Sequence, residues 1–376
     1  LGNPETRTQP IDRQVKLALI TTNLRGGGAE KALVKLAGLM RGRGHEVHLV
    51  LLEHVVEHAP PPGVALHALT RPGRSQRKGF LGKRLAALAL GRLMKRLGKA
   101  GPFDLVVSTL PFADEVVSLA RLPNTWFRIA NTLSAEIAAL ARTSPAKAQR
   151  RLARYRTLYE GKNLIAVSAG VAEDLRRELG LKTARIAPIP NPFDAADIRR
   201  QAEEEVSGRP AEPYLVHVGR FAPQKRHDLL LAAWQRAELP HRLVLLTAPA
   251  PRLDALIARH GLTDRVTVAG FQRNPYPWMR GADALVLCSD HEGLPNVLIE
   301  ALICGTPVVS TDCPSGPREI MTGELARFLV PMNDADALAA ALREAVTHPP
   351  ALSDELFAPF SAAAVAREYE ALAGEG

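Results

Sequence analysis

Aromatic side chains make up only 5% of this chain of 376 residues, and it has just three cysteines. So few aromatics leave little for a surface built on base stacking. Cys288, Cys304 and Cys313 all fall in one segment of the second half and lack metal-ligand spacing, so they read as reduced core or near-core thiols of a cytosolic protein. No apolar run reaches the ~18 residues that a membrane span needs. The best N-terminal stretch, Val15 to Ile20, reads as a buried strand, which argues against a signal peptide.

What is present is a soluble, globular composition, 46% hydrophobic and 23% charged, at a length that suits two domains. The charge is unevenly spread. Residues 1–195 hold 31 Lys+Arg against 15 Asp+Glu, a balance of +16, and the remainder is −7. Residues 71–99 ("RPGRSQRKGFLGKRLAALALGRLMKRLGK") contain ten basic residues and no acid, and residues 142–156 add six more, again without an acid. From Leu90 onward, Leu90, Leu93, Met94 and Leu97 follow helical i, i+3, i+4, i+7 spacing, and Arg92, Lys95, Arg96 and Lys99 fall on the other side. Such a basic amphipathic helix fits a solvated face, an anionic membrane surface or nucleic acid. Each Lys or Arg near an anionic leaflet contributes ~1 kcal/mol, which favours the membrane. Phe80 is the single aromatic of residues 71–99, which disfavours nucleic acid.

Apolar β-type runs alternate with helical stretches along the chain. The first set is Lys16 to Thr21, Glu46 to Leu52, Leu105 to Ser108, Phe127 to Ala130 and Leu164 to Val167; the rhythm resumes with Tyr214 to Val218, Leu243 to Leu246, Val266 to Ala269, Ala284 to Leu287 and Pro307 to Ser310. This predicts an α/β protein with two Rossmann-like parallel-sheet domains, residues 15–195 and 196–355, after a flexible tail at 1–14 and before a C-terminal helix at 356–376.

Ligands of open parallel sheets sit at the carboxyl ends of strands, so three loops carry the functional signal. In "TTNLRGGGAEKAL", Gly26, Gly27 and Gly28 allow close backbone approach ahead of a helix start, though the pattern is not a dinucleotide fingerprint. In "VGRFAPQK", Arg220 and Lys225 frame a loop suited to a diphosphate leaving group. In "HEGLPNVLIEALICG", Pro295 suits a first helical turn and Gly305 a helix end, so the helix start favours a phosphate between Glu292 and Glu300. Carboxylates accept hydrogen bonds from hydroxyl pairs, which suits Glu292 to a sugar and Glu300 to a ribose. Asp334 to Asp336 imitate a metal-binding D-x-D but read better as a helix cap.

Together "GGGAEKAL", "GRFAPQK", "HEGLPNVLIEAL" and "GTPVVSTDCPSGPREI" resemble glycosyltransferase family 4, with Glu292 and Glu300 as its E-x7-E pair. The similarity covers about residues 15–350. It implies a GT-B fold in which two Rossmann-like domains face a cleft, with the C-terminal helix packing back on the first domain. It further implies a retaining, metal-independent transfer of a hexose or N-acetylhexosamine from a UDP-linked sugar. The acceptor implied is a polyprenyl-diphosphate-linked or other glycan at the inner face of a bacterial cell membrane. By position, Gly27 and Gly28 lie at the donor diphosphate, Arg220 and Lys225 bind phosphate, Glu292 meets the sugar, backbone amides of Gly293, Leu294, Pro295, Asn296 and Val297 line sugar and phosphate, and Glu300 holds the ribose.

Two departures stand out. Relatives carry a His near the donor sugar where this chain has Ala130 and Asn131, and a Gly-x-Gly turn where it reads "TAPA" at Thr247 to Ala250. Two other functions share the architecture: a sugar-nucleotide epimerase, and a non-catalytic binder of sugar nucleotides or nucleic acid. Asn131 cannot shuttle the proton the first needs, and the scarcity of aromatics disfavours the second.

Overall fold

The computed structural model describes residues 13–25, 27–76 and 79–374. Most of the expected tail, Gly26, and Arg77 and Lys78 of the first basic stretch lie outside the described residues. The chain divides into two units, one formed by residues up to Pro192 together with the segment from Ala362 onward, the other by Phe193–Ser361.

The first unit holds a parallel sheet of seven strands among the described residues: β1 Lys16–Thr21, β2 Glu46–Leu51, β3 Ala65–Ala68, β4 Leu105–Thr109, β5 Thr125–Ile129, β6 Asn163–Ala166 and β7 Arg185–Pro188, in the order β3-β2-β1-β4-β5-β6-β7. Leu17 of β1 is in register with Val47 of β2 and Leu105 of β4. β1 and β4 are buried along their whole length, as expected of central parallel strands covered on both faces, and this is why they read as unbroken apolar runs. The edge strands β3 and β7 are only partly buried.

The second unit repeats the plan with six strands, β8 Tyr214–Val218, β9 Arg242–Leu246, β10 Val266–Val268, β11 Ala284–Leu287, β12 Val308–Thr311 and β13 Leu329–Val330, in the order β10-β9-β8-β11-β12-β13. Strand order reverses between β1 and β4 in one sheet and between β8 and β11 in the other. At such a point the loops leaving the two strands turn to opposite faces and open a crevice at their carboxyl ends.

The C-terminal helix Ala362–Gly374 returns to the first unit, where Val365, Ala366 and Tyr369 share a core with Leu17, Leu19 and Leu49. Its buried Glu370 accepts hydrogen bonds from Arg43 Nε at 2.6 Å and His45 Nε2 at 2.9 Å. The Val15 amide donates to His45 Nδ1 at 3.2 Å, which places the imidazole proton on Nε2 and fixes the direction of the second bond.

The basic helix spans Phe80–Leu97, with Leu90 and Met94 buried and Arg92, Lys95 and Arg96 exposed, as the spacing predicts. Cys288 and Cys313 are buried and Cys304 half-buried; burial pushes the Cys288 and Cys304 thiols up to about 12. These are unreactive packing thiols.

Candidate active site

The second unit's switch point gathers three of the expected residues from two loops. β8 ends at Val218, and Gly219 turns tightly over the strand: a Cβ there would lie 3.3 Å from His217 Nε2. Arg220 follows, exposed. A 3-10 turn at Pro223–Lys225 leads to Arg226, held in the left-handed region at φ +48, and then to the helix His227–Ala237. The turn brings Lys225 Nζ to 2.5 Å from Glu292 Oε1 on the loop after β11. Their side chains are only 20% and 11% exposed, so this is a partly desolvated pair and not a solvent-screened surface contact.

Several bonds fix the two loops to each other. Gln224 Nε2 donates to the His291 carbonyl at 2.6 Å, and the Asp290 amide donates to the Gln224 carbonyl at 2.8 Å. Arg226 reaches Asp228 at 3.0 Å, Asp290 at 2.8 Å and Asn333 at 2.5 Å. Its guanidinium is therefore held well above its ordinary pKa, first by the Asp228 bond and then by Asp290 against the opposing effect of burial. A non-glycine residue in this backbone region costs roughly 1–2 kcal/mol, and the charge-assisted bonds offset it. Arg226 escaped the sequence reading because its neighbours Asp290 and Asn333 are 64 and 107 positions away.

The helix after the Gly-Leu-Pro turn spans Asn296–Ile303, with Pro295 as its N-cap residue and Cys304 as its C-cap. Pro295 thus sits one position before the first helical turn. Pro295 has no side-chain acceptor of its own to cap this start, and the helix dipole directs its positive end toward the loop. Gly305 ends the helix at φ +82, a conformation that favours glycine. Gly316, at φ +91, presses on the turn from "PSGPRE": a Cβ there would lie 2.4 Å from Pro295 Cδ and 3.0 Å from the Gly293 carbonyl oxygen. That motif therefore supports the Gly293–Leu294–Pro295 backbone. Glu300 is half-buried on the same helix and accepts from the Tyr276 hydroxyl at 3.2 Å. Burial, then the Glu300 charge, drives the Tyr276 pKa far up, so Tyr276 remains a donor. "NPYPW" offered no signal for this role.

Buried polar atoms without partners accumulate near these strand ends: His217 Nε2, the Ser289 hydroxyl, and the Thr247 hydroxyl on the "TAPA" turn. Buried polar groups are normally satisfied, so such atoms mark a place left for water or ligand. His217 Nδ1 lies 2.9 Å from the Val286 carbonyl, which can only accept, so Nε2 carries the bare lone pair. Burial depresses His217 to about 3 and His227 to about 4, in each case helped by nearby positive charge. Both are neutral at pH 7, and Lys225 and Arg220 supply the positive charge beside this strand end.

Gly27, Gly28 and Asn131 belong to the first unit. Gly27 is the N-cap residue of the helix Gly28–Gly42. A Cβ on Gly27 would lie 2.2 Å from Glu30 Oε2, while Gly28 has nothing within 4 Å. A carboxylate of the chain itself thus lies over the position expected for phosphate. Asn131 is half-buried before the helix Leu133–Ala141, whose first amides bond Asp174 at 3.0 and 3.3 Å. Asp334 caps the helix Ala335–Thr347 by accepting from the Ala337 amide at 2.8 Å. Among the described residues no three His, Cys, Asp or Glu side chains gather as a metal site, and no helix is long and apolar enough to cross a membrane.

The fold is shared with solved structures. The Anabaena HepE protein in complex with UDP-glucose superposes with a TM-score of 0.70 at 19% identity, over 96% of this chain and 100% of that one. The two parallel-sheet units therefore have the GT-B fold.

The family description "Glycosyltransferase Family 4" matches residues 26–197, and "Glycosyl transferases group 1" matches residues 212–348. A D-inositol 3-phosphate glycosyltransferase of Nocardia farcinica is 30% identical over 352 residues, 84% of this chain and 77% of the relative. An N-acetylgalactosamine-N,N'-diacetylbacillosaminyl-diphospho-undecaprenol 4-alpha-N-acetylgalactosaminyltransferase of Campylobacter jejuni is 26% identical over 333 residues, 87% of this chain and 89% of the relative. The chain belongs to glycosyltransferase family 4, and it is an enzyme.

Proposed function

We propose that the protein is a retaining, metal-independent glycosyltransferase that moves a hexose or N-acetylhexosamine from a UDP-linked sugar to a lipid-linked saccharide at the cytoplasmic face of a bacterial membrane. The observation that carries this is the Lys225–Glu292 pair, 2.5 Å apart beside a helix start at a sheet switch point. A diphosphate takes Lys225 from Glu292, and the freed carboxylate accepts hydrogen bonds from the sugar hydroxyls. Arg220, Lys225 and the helix start then stabilise the charge that grows on the leaving diphosphate as the C1–O bond breaks. The acceptor hydroxyl attacks C1 on the same face and gives its proton to the departing phosphate oxygen, so no protein base is needed and Asn131 is no obstacle. Tyr276 donates to one oxygen of Glu300 and so positions the carboxylate that accepts from the ribose hydroxyls.

The donor assignment is supported by the UDP-glucose complex of the Anabaena protein, and the acceptor by the Campylobacter relative, which by name acts on a diphospho-undecaprenol-linked saccharide. The membrane location is supported by the basic stretches 71–99 and 142–156.

The test has two stages. A panel of nucleotide sugars is screened for melting-temperature shifts, and the donor that raises it is incubated with polyprenyl-diphosphate-linked saccharides. The expected product has the donor's anomeric configuration by NMR and forms at an undiminished rate in EDTA. Inversion, a strict need for Mg²⁺ or Mn²⁺, or epimerised free nucleotide sugar would each refute the reading.

A further inference from the structure

The helix Phe80–Leu97 leaves a second apolar surface in addition to the one it buries. Its inner side is Gly82, Ala86, Ala87, Leu90 and Met94. On the outer side Leu81, Leu85 and Leu88 follow i, i+4, i+7 spacing and are 73%, 61% and 59% exposed, with Phe80 beside them at 66%. The same stripe continues as Arg92, Lys95 and Arg96, all exposed. One face of one helix is thus apolar in its first half and cationic in its second.

The surroundings extend the charge. Arg84 lies over the Phe80 ring at 4.4 Å. Lys83 turns to the neighbouring helix Pro111–Ala120 and meets Glu115 at 2.8 Å, where Arg154 of the second basic helix, Pro145–Tyr159, also arrives at 2.6 Å. The two acid-free basic stretches are therefore neighbours in the fold. A solvated helix face has no use for three large apolar side chains in register, and exposed apolar clusters of this kind rimmed by charge mark interaction surfaces.

We infer that this face inserts into an anionic lipid bilayer, with Phe80, Leu81, Leu85 and Leu88 at the boundary of headgroups and acyl chains and Arg92, Lys95, Arg96 and Lys99 on the lipid phosphates. This rests on the reading that the acceptor is lipid-linked and adds to it an attachment that is not purely electrostatic. Electrostatic attraction alone fades in salt, whereas burial of apolar side chains does not.

The experiment is co-sedimentation of the full chain with vesicles of phosphatidylglycerol and phosphatidylethanolamine, at low salt and at ~1 M NaCl, where the screening length is only ~3 Å. The wild type is expected to sediment at low salt and to leave a bound fraction at high salt. Replacing Leu81, Leu85 and Leu88 with Ser should remove the salt-resistant fraction and weaken partitioning by about tenfold or more. Replacing Arg92, Lys95, Arg96 and Lys99 with Gln should instead abolish the preference for anionic over neutral vesicles. Wild-type protein that stays in the supernatant, a triple-Ser variant that binds as well as wild type at high salt, or a triple-Ser variant that converts an oligomer to a monomer without vesicles would each overturn the inference. Nucleotide-sugar melting shifts measured on the same samples separate the outcomes: if they persist while sedimentation fails, only the membrane contact falls, and if they are absent the functional reading falls.

Discussion

The two units are built on the same sheet plan, yet they bury opposite kinds of titratable group beside their switch points. In the first unit Asp114 is enclosed below β4 and accepts from the Ser108 hydroxyl at 2.6 Å and the Tyr159 hydroxyl at 2.8 Å; burial still raises it to about 7. In the second unit the enclosed groups are the imidazoles His217 and His227, depressed to about 3 and about 4. In each unit burial thus works against the charged form of these groups. The difference lies in satisfaction: the carboxyl has two hydroxyl partners, while His217 Nε2 and both His227 nitrogens have none. A satisfied buried group stiffens a scaffold, whereas a bare one beside Lys225 leaves hydrogen-bonding capacity unused.

The sharpest way to break this comparison is at the second unit's charges. On the proposed metal-independent mechanism Lys225→Ala removes a cation that nothing replaces, and transfer should fall by about 100-fold or more in kcat/KM. Loss of less than about threefold would remove Lys225 from the phosphate site. Glu292→Gln keeps the shape but not the charge, and kcat should drop by about tenfold while donor KM changes little. A rise confined to KM would place Glu292 away from the reacting sugar. Glu300→Gln and Tyr276→Phe should behave alike, each raising donor KM by about three- to tenfold with kcat retained. A Tyr276→Phe variant with wild-type KM would show that the tyrosine does not position Glu300.

The smallest expected effect tests the pH response of each unit. The folded pKa of Asp114 is raised, so its contribution to stability is fully present below about 4 and is lost as pH rises through about 7. The folded pKa values of the histidines are lowered, so the second unit loses stability as pH falls from ~6.5, the unfolded value, toward 4. All three cysteines lie in the second unit, so their labelling rate during urea unfolding follows that unit alone. It should unfold more easily at pH 5 than at pH 7, and Asp114→Asn should leave that trend intact. If Asp114→Asn flattened it, the two units would not titrate separately.

Much of the fold was legible because central parallel strands are buried on both faces and cannot be polar. β1, β8 and β11 have the bounds expected from their apolar runs. The strands that went unread are β3, β7 and β13, each at the edge of its sheet. "ALHA" and "RIAP" are only half covered, so nothing in their composition separates them from loop, and Leu329–Val330 is too short to show a pattern. In the candidate site, Lys225 and Glu292 were named from their loops, and the structure brings them together. Arg226 and Tyr276 were not, because their partners come together only through the sheet order. The exposed leucines were missed for a related reason: Leu90 and Met94 already account for a buried stripe, and only packing shows that the helix has a second one.

The return of the C-terminal helix makes the second unit an insertion in the first. Its ends lie together, since the Phe193 amide donates to the Phe360 carbonyl at 3.0 Å and Phe193 bridges Ser361. This sets an order on synthesis. As the chain leaves the ribosome, Phe193–Ser361 is complete while the first unit still lacks Val365, Ala366 and Tyr369 from its core. The second unit is therefore expected to become protease-resistant first on stalled nascent chains, and the first unit to remain open until the helix Ala362–Gly374 reaches it.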